Sequence, residues 1–391
     1  MDGSLLADQL FNNDDRTITL RTEVDFAKDE EFMLTFALTD NGTATGLLTY
    51  ANLTMENPKT LNLRTPIRYT EGTNKTYPIT GFETTDNFIS KSGYQFFDTL
   101  FNIYMDVDMG TVNFSLNEGI DGPVNPSSGY YLYGNWSNGF NTDHSYLLLN
   151  APLEDNFVLD KADFISDGIE SKTLTINTSQ NLSGEAANLQ LYGYLSVEDK
   201  RADVNRAHLI YNSNQYYSPS DLFQYELNTS MHDYLHSLTY GNFYTERLGA
   251  PLETYTIPEI DIDYAVMGKT IQLEITGTDH DLGRIQLMDY ANNITPVYVW
   301  NFTFDSKSTS EIVIPQLPSE VAILQDIYAN NQFKVGSVEL ANYEGISDFD
   351  EYLQMVVKNQ EDHLLKSTGY DVISKSDYPF FNRPIKDYVF Q

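Results

Sequence analysis

The residues best suited to chemistry lie in TGTDHDLGR (276–284), where Asp279, His280 and Asp281 follow one another. In an extended segment the two carboxylates share one side and the imidazole takes the other. Two carboxylates can contribute to a calcium site but cannot form one alone, because calcium takes about six to eight oxygen ligands. The glycines and aspartates between two strand-like runs are also typical of turns, and this favours a hairpin tip over a metal site.

Further carboxylates that could complete such a site lie just upstream, in PEIDIDY. Three of them alternate along a strand-like segment, so they share one face. If this strand neighbours the TGTDHDLGR segment, calcium is the cofactor that the two stretches together suggest. The candidate metal ligands are Glu259, Asp261, Asp263, Asp279 and Asp281.

Two other motifs carry weaker signals for a metal. In MHDYLH, His232 and His236 would face the same way on a helix, as in zinc hydrolases, but Asp233 replaces the glutamate of that pattern. We therefore interpret them as surface histidines. In MDVDMG, Asp106 and Asp108 resemble the start of a calcium loop, but the glutamate that closes such loops is missing. The flanking residues predict a strand instead.

Aromatic side chains offer a different kind of site. GYYLYGNW places four aromatics between glycines, beside a stretch rich in turn residues, and two of its tyrosines share a strand face. Tyrosine and tryptophan faces suit both sugar rings and protein hot spots. The candidate ligand-binding residues are Tyr130, Tyr131, Tyr133 and Trp136.

A second aromatic run, VYVWNFTF, has the opposite interpretation. Its four aromatics fall on one face of a strand, and a continuous aromatic face predicts a position in the core. The predicted core residues are Tyr298, Trp300, Phe302 and Phe304.

Familiar catalytic motifs are absent from the sequence. There is no G-x-S-x-G, no G-x-G-x-x-G opening a helix after a strand, and no G-x-x-x-x-G-K-[ST] phosphate loop. Their absence disfavours hydrolases with a nucleophile elbow and enzymes with nucleotide cofactors. A carboxylate pair of the glycosidase type cannot be located from sequence, because the chain has 56 Asp and Glu residues.

The elements that must position these residues are predicted to be mainly β. RTITLRTEVDF and EEFMLTFALTD alternate apolar and polar residues, and Asp-Asn-Gly predicts a hairpin into GLLTYANLTM. Strands at about 8–12-residue spacing are typical of antiparallel β-sandwich domains. The C-terminal portion is predicted to be a small α+β region, because SEVAILQDIYAN and SDFDEYLQMVVKNQEDHLL have helical patterns. Ser347 and Asp350 predict a capping box for the second helix.

Stretches rich in glycine and proline divide the chain into predicted regions. NEGIDGPVNPSSG and GAPLETYTIPEI are the clearest of these stretches. The predicted organisation is a leader or linker at 1–15, a β-sandwich domain at 16–155, a second β-rich domain at 156–255, and a third β-rich region with C-terminal helices at 256–391.

Composition excludes several classes of function. The chain has 23 Lys and Arg against 56 Asp and Glu, a net charge of −33, so we expect no nucleic-acid binding and repulsion from anionic membranes. It has no cysteine, which excludes disulfides and cysteine-ligated metals. No apolar run approaches the roughly 20 residues of a membrane span.

The Tyr- and Asn-rich, Lys-poor, cysteine-free composition resembles the mature part of surface lipoproteins from Bacteroidota-type bacteria, in style along the chain rather than in one motif. That resemblance implies an extracellular, outer-surface or periplasmic location. It also implies a lipid anchor on a cysteine upstream. The opening residues MDGS carry no signal peptide, so we expect a targeting segment to have been removed.

These observations favour an extracellular or surface-anchored binding or structural protein over an enzyme. Its partner would be a glycan or a protein, contacted through exposed tyrosines. The alternative is a secreted hydrolase or a calcium-assisted carbohydrate-active enzyme, which would bring carboxylates from distant segments together in a pocket.

Overall fold

The structure is a computed structural model of the 391-residue chain. It describes residues 2–11, 18–40, 43–56, 73–82, 87–88, 101–106, 111–118, 130–137, 142–150, 153–179, 187–202, 207–215, 221–289, 299–318, 321, 333–358 and 369–376.

The prediction of a mainly β fold is confirmed. The first strands are β1 (Phe32–Asp40), β2 (Thr43–Leu53), β3 (Thr73–Thr80), β4 (Asn87–Phe88), β5 (Phe101–Asp106), β6 (Thr111–Glu118), β7 (Tyr130–Ser137), β8 (Thr142–Leu149), β9 (Leu159–Asp160), β10 (Ile169–Asn177), β11 (Ala187–Tyr194) and β12 (His208–Gln215).

The remaining strands follow in the second half of the chain. They are β13 (Leu222–Asn228), β14 (Asp233–Tyr240), β15 (Phe243–Leu248), β16 (Thr254–Thr256), β17 (Asp261–Met267), β18 (Thr270–Thr276), β19 (Leu282–Asp289), β20 (Val299–Asp305), β21 (Glu311–Val313), β22 (Phe333–Tyr343) and β23 (Gly369–Lys375).

Helices are few and short. They are a 3₁₀ turn (Lys161–Asp163), α1 (Val197–Ala202) and α2 (Phe349–Tyr352), which continues with π-helical geometry over Leu353–Lys358. Along the ranges given above, none of the helices is both long enough and apolar enough to cross a bilayer.

The chain forms two compact units, each built from separate stretches of sequence. Unit 1 comprises Met1–Pro66, Asn242–Tyr244 and Pro258–Gln391, and unit 2 comprises Ile67–Gly241 and Thr245–Ile257. Unit 2 therefore ends inside the proline-containing stretch GAPLETYTIPEI.

Unit 1 is organised around a sheet with the strand order β1-β2-β20-β19-β22-β23. Neighbouring strands are antiparallel except for β2 and β20, which are parallel. One face of β20 carries Trp300, Phe302 and Phe304, all fully buried, so the core position predicted for these residues is confirmed. Tyr298 lies outside the described residues.

A smaller sheet of unit 1 has the order β17-β18-β21. Its strands alternate as predicted for a half-buried sheet: Ile262, Ile271 and Ile312 are fully buried, whereas Asp261 and Asp263 are exposed. A two-residue turn joins β17 to β18, with Gly268 at a positive φ of 64°.

Unit 2 contains four groups of strands. Their orders are β15-β14-β11-β12, β13-β10-β16, β5-β6-β3-β9 and β4-β7-β8. One hydrophobic cluster of this unit joins β3, β6, β7 and β8; its fully or nearly fully buried members include Tyr77, Ile79, Val112, Phe114, Leu132 and Leu149.

Several predicted elements have specific outcomes. The Asp-Asn-Gly hairpin is confirmed, since Asp40 is the register partner of Thr43 between β1 and β2. MHDYLH is not helical, because residues 233–236 belong to β14. At the C-terminal helix the N-cap is Asp348, whose side chain accepts a hydrogen bond from the Glu351 backbone N–H, so the cap is one residue later than predicted. Most of SEVAILQDIYAN lies outside the described residues.

Candidate functional site

TGTDHDLGR does not form a hairpin tip, and that prediction is wrong. The strand before it, β18, pairs with β17 and β21, whereas the strand after it, β19, pairs with β20 and β22. The residues between them, 277–281, are therefore a crossing between two sheets of unit 1. We call them the 277–281 connection. Turn-forming residues serve a sheet-to-sheet crossing as well as a hairpin, so local sequence does not separate the two.

The start of the 277–281 connection is fixed by a close approach of two backbone segments. Gly277 has a positive φ of 88°, and a Cβ atom at this position would lie 2.4 Å from the Glu259 carbonyl oxygen. Only glycine fits such an arrangement. The side chain of His280 is buried, and its Nδ1 lies 2.7 Å from the Ser306 hydroxyl oxygen. Burial lowers the pKa of His280 below its ordinary value.

Asp281 ends the 277–281 connection inside the protein. Its carboxylate accepts hydrogen bonds from the Tyr343 backbone N–H (2.9 Å) and from the Lys307 ammonium group (3.4 Å). Its own backbone N–H donates to the Ala341 carbonyl at 2.8 Å. Burial raises the pKa of Asp281, although both donors oppose this. The carboxylate thus ties the crossing to β22.

The structure does not bring the five predicted metal ligands together. Asp281 is buried, while the other four are exposed, and the Asp263 carboxylate instead accepts from Lys375 at 2.6 Å. Among the residues that the structure describes, no three His, Asp or Glu side chains are grouped so that they could hold a metal ion. The physical reason is that β17 presents its carboxylates to solvent, whereas the crossing turns Asp281 inward.

A buried charged group next to the crossing is not apparent from the sequence patterns. Arg284 is fully buried, donates to the Tyr343 hydroxyl and lies with its guanidinium carbon 5.7 Å from the Tyr343 ring centroid. Its register partner on β22 is Glu339, which is also fully buried. Arginine and glutamate are rarely buried without partners, but the signal lies in the strand register and not in either strand alone.

The predicted ligand-binding tyrosines of β7 are all buried. Tyr131 and Tyr133 are each 1% exposed, and Tyr130 is 8% exposed, so none of them is an exposed tyrosine of the kind expected. The reason is that β7 is covered on both faces. Tyr130 joins the hydrophobic cluster, whereas Tyr131 accepts a hydrogen bond from Asn228 at 2.8 Å. The placement of the Trp136 side chain lies outside what the structure describes.

Partly exposed side chains lie instead on the neighbouring strand, β8. Leu148 is the register partner of Tyr131, and Tyr146 stacks on Tyr131 with ring centroids 5.1 Å apart. Tyr146 exchanges two backbone hydrogen bonds of 2.9 Å with Ile165. Leu148 is 48% exposed and Ile165 49% exposed. We call Tyr146, Leu148 and Ile165 the β8 patch.

The two histidines of MHDYLH lie in very different environments. His232 is exposed, as interpreted from the sequence, but His236 is buried, so its expected surface position is wrong. His236 contacts the Tyr255 hydroxyl through Nε2 and the Gly249 carbonyl through Nδ1 at 3.3 Å. Burial lowers the pKa of His236 to about 4. The pair cannot act as two zinc ligands on one helical turn, because the segment is a strand.

Comparison with known proteins adds no family to this description. Neither the models of known protein families nor the curated proteins include a match to this chain.

Proposed function

We propose that the chain is a non-enzymatic, extracellular or surface-anchored binding protein that contacts a partner protein through the β8 patch. The observation that supports this proposal is a pair of large apolar side chains that are half exposed near Tyr146: Leu148 on β8 itself, and Ile165 in the segment that pairs with β8 at Tyr146. Contiguous exposed apolar side chains next to an aromatic ring are typical of protein contact sites. The lipid anchor and the bacterial surface location that the resemblance to surface lipoproteins implies belong to the same proposal.

The charge around the β8 patch favours a partner with basic and apolar side chains. Asp163 and Asp167, two residues on either side of Ile165, are exposed, and the whole chain has a net charge of −33. Electrostatic complementarity would accelerate association with a basic surface and disfavour acidic partners. A neutral glycan stacking on Tyr146 is the other class of ligand that the experiment below can detect.

The test is a binding screen of the full chain against a library of basic, apolar peptides and a glycan array. The patch variant Leu148→Ser/Ile165→Ser is compared with Val266→Ser/Met267→Ser, whose residues are 48% and 61% exposed at the β17–β18 turn. Each buried aliphatic side chain contributes about 1.5–3 kcal/mol, so the patch variant should lose at least about tenfold in peptide affinity. The control variant should bind like the wild type.

Two binding results would overturn the proposed contact with a partner protein. The first is peptide binding that the patch variant retains, and the second is binding of glycans alone. Turnover of any polymer in a parallel activity panel would also contradict the non-enzymatic assignment.

A hydrolase is the second candidate function, because His280 and Ser306 lie at hydrogen-bond distance, 2.7 Å, as do a base and a nucleophile. Both side chains are about 5% exposed or less, which is the reason this candidate is second. Hydrolysis that Ser306→Ala abolishes while the fold is preserved would favour it over the binding function.

A further inference from the structure

One face of the β7–β8 hairpin in unit 2 packs on β12 and β13 through an unusual set of rings. We call this set the aromatic layer. Its members are histidine and tyrosine rings that contact one another, and they are Tyr131, Tyr133, His144, Tyr146, His208, Tyr211 and Tyr225.

His208 occupies the inner part of the aromatic layer. It is 2% exposed, and its ring centroid lies 6.1 Å from that of Tyr131. Asn228 of β13 donates to the hydroxyl of the same tyrosine at 2.8 Å. Tyr131 is therefore held between β12 and β13, and it fixes the position of β7. Protonation of His208 would place a poorly solvated positive charge beside this tyrosine.

His144 occupies the outer part of the aromatic layer. Its Nδ1 lies 2.9 Å from the Tyr133 hydroxyl oxygen, and its ring centroid is 5.7 Å from that of Tyr211 on β12. Tyr211 in turn donates to the Gln224 carbonyl at 3.2 Å. His144 thus bridges β8 and β12.

The opposite face of the β7–β8 hairpin has a different chemistry. It packs into the hydrophobic cluster with Tyr77, Ile79, Val112 and Phe114. Nothing in that cluster gains a charge between pH 4 and 7, about the range in which histidine titrates. Mild acid therefore acts on one face of the hairpin and not on the other.

We propose that the aromatic layer is an acid-sensitive latch: protonation of His144 and His208 releases the β7–β8 hairpin from β12 and β13 while its opposite face stays packed. This device does not rest on the function proposed above, although Tyr146 belongs to both the aromatic layer and the β8 patch. It would let a mildly acidic environment expose tyrosine faces that are covered at neutral pH.

Nearby carboxylates and burial have opposite effects on the protonation of the two histidines. Asp199 of α1, itself buried, favours protonation of His208, and Glu226 of β13 and Asp143 of β8 favour protonation of His144. Burial opposes protonation more strongly in both cases. It lowers the pKa of His208 to about 3 and lowers that of His144 in the same direction.

Lower pH favours the open state of the β7–β8 hairpin. Both pKa values are lower in the closed state than in an open, solvated state, so the open state binds more protons. The closed state is favoured fully above about pH 6.5, and its advantage falls as the pH falls. For His208 alone, each pH unit below the ordinary value shifts the ratio of open to closed molecules by about tenfold, until the pH approaches 3.

Hydrogen exchange of the full chain, measured by mass spectrometry between pH 7.5 and 4.5 and corrected for intrinsic rates, tests the latch. Amides of 130–137, 142–149 and 207–215 should lose protection with decreasing pH before amides of β6 do. Replacement of both histidines, His144→Gln/His208→Gln, should abolish the pH dependence of this difference. The control His232→Gln changes an exposed histidine and should leave the pH profile unchanged.

Two outcomes would overturn the latch. One is loss of protection in β6 with the same pH midpoint as in β7, β8 and β12, because that is global unfolding. The other is an unchanged pH profile in the double variant. If the double variant is unfolded at neutral pH, the wild-type protein still decides between local and global opening. The comparison is between the pH midpoint of protection loss in β6 and that in β7, β8 and β12.

Discussion

Arg284 and Glu339 occupy opposing positions on β19 and β22, and both are fully buried. We expect each single variant, Arg284→Met or Glu339→Leu, to lower the free energy of unfolding by about 3–5 kcal/mol, because each removes one of two opposite charges that occupy opposing strand positions in a poorly solvated part of the protein. The double variant should lose much less than the sum of the two. Urea denaturation of the four proteins measures this coupling.

The exposed pair Lys28 and Glu56 is the matched control for that cycle. Its side chains are 82% and 59% exposed and its ion pair is 3.2 Å long. Exposed pairs contribute little to stability, so the same cycle on Lys28→Met and Glu56→Leu should show no measurable coupling. Strictly additive losses at Arg284 and Glu339 would show that the two charges do not stabilise each other.

At Asp281 the hydrogen-bond acceptor and the charge have opposite effects on stability. Asp281→Ala removes the carboxylate oxygen that accepts from the buried Tyr343 N–H and should cost about 1–3 kcal/mol of unfolding free energy. Asp281→Asn keeps an oxygen acceptor and removes the buried charge, so it should cost less than the alanine variant. Equal losses in the two variants would contradict this account.

The pH dependence of the Asp281→Asn variant supplies a further check on the same residue. Burial raises the pKa of Asp281, so the folded state binds its proton more tightly than the unfolded chain does. The contribution of Asp281 to stability therefore declines as the pH rises through the folded pKa. Urea midpoints measured from pH 4 to 7 should show the asparagine variant gaining relative to the wild type.

At the scale of single elements, period-two alternation and turn chemistry predicted much of the fold. The β1–β2 hairpin and the buried face of β20 follow from residues within one or two strands, because alternation decides which side chains face the core. The sheet-to-sheet crossing at TGTDHDLGR could not be predicted in this way, since the same residues suit a hairpin and a crossing. The burial of Tyr131 and Tyr133 depends on strands β12 and β13, far along the chain, which no local pattern reveals.

β19 offers an element-scale prediction through Gly283. This residue faces Phe304 across the sheet, and a Cβ atom here would lie 2.1 Å from the tip of that ring. Gly283→Ala should therefore lower the free energy of unfolding by about 1–3 kcal/mol through overpacking. Adding Phe304→Leu should recover part of the loss in urea denaturation.

Gly336 on β22 is the matched control for this prediction. A Cβ atom there would lie 3.0–3.2 Å from side-chain atoms of Met288, which can adjust because methionine is flexible. Gly336→Ala should thus be better tolerated than Gly283→Ala. If the two alanine variants lose equal stability, the loss of glycine itself and not the contact with Phe304 is the cause.

At the scale of the whole molecule, the dominant feature is the net charge of −33. Within β17 and β18, Asp263 and Glu274 are direct register partners on the exposed face, so like charges meet even inside one small sheet. Because the chain has 23 Lys and Arg against 56 Asp and Glu, there are too few cations to give each acidic side chain its own partner, such as the Lys375 of Asp263. Charge repulsion therefore opposes folding, and salt should relieve it.

Thermal unfolding measured from about 0.01 to 0.3 M NaCl tests this expectation. The Tm should rise with ionic strength and most steeply below about 0.15 M, because the screening length falls from about 30 Å to about 8 Å over that range. Choline chloride should act like NaCl, since the effect is one of screening. Among the described residues, the carboxylates are not grouped so that they could hold a metal ion. Calcium chloride at equal ionic strength should therefore raise the Tm no further than NaCl does. A Tm that is flat or falls with NaCl would show that the acidic side chains are dispersed widely enough to make repulsion negligible.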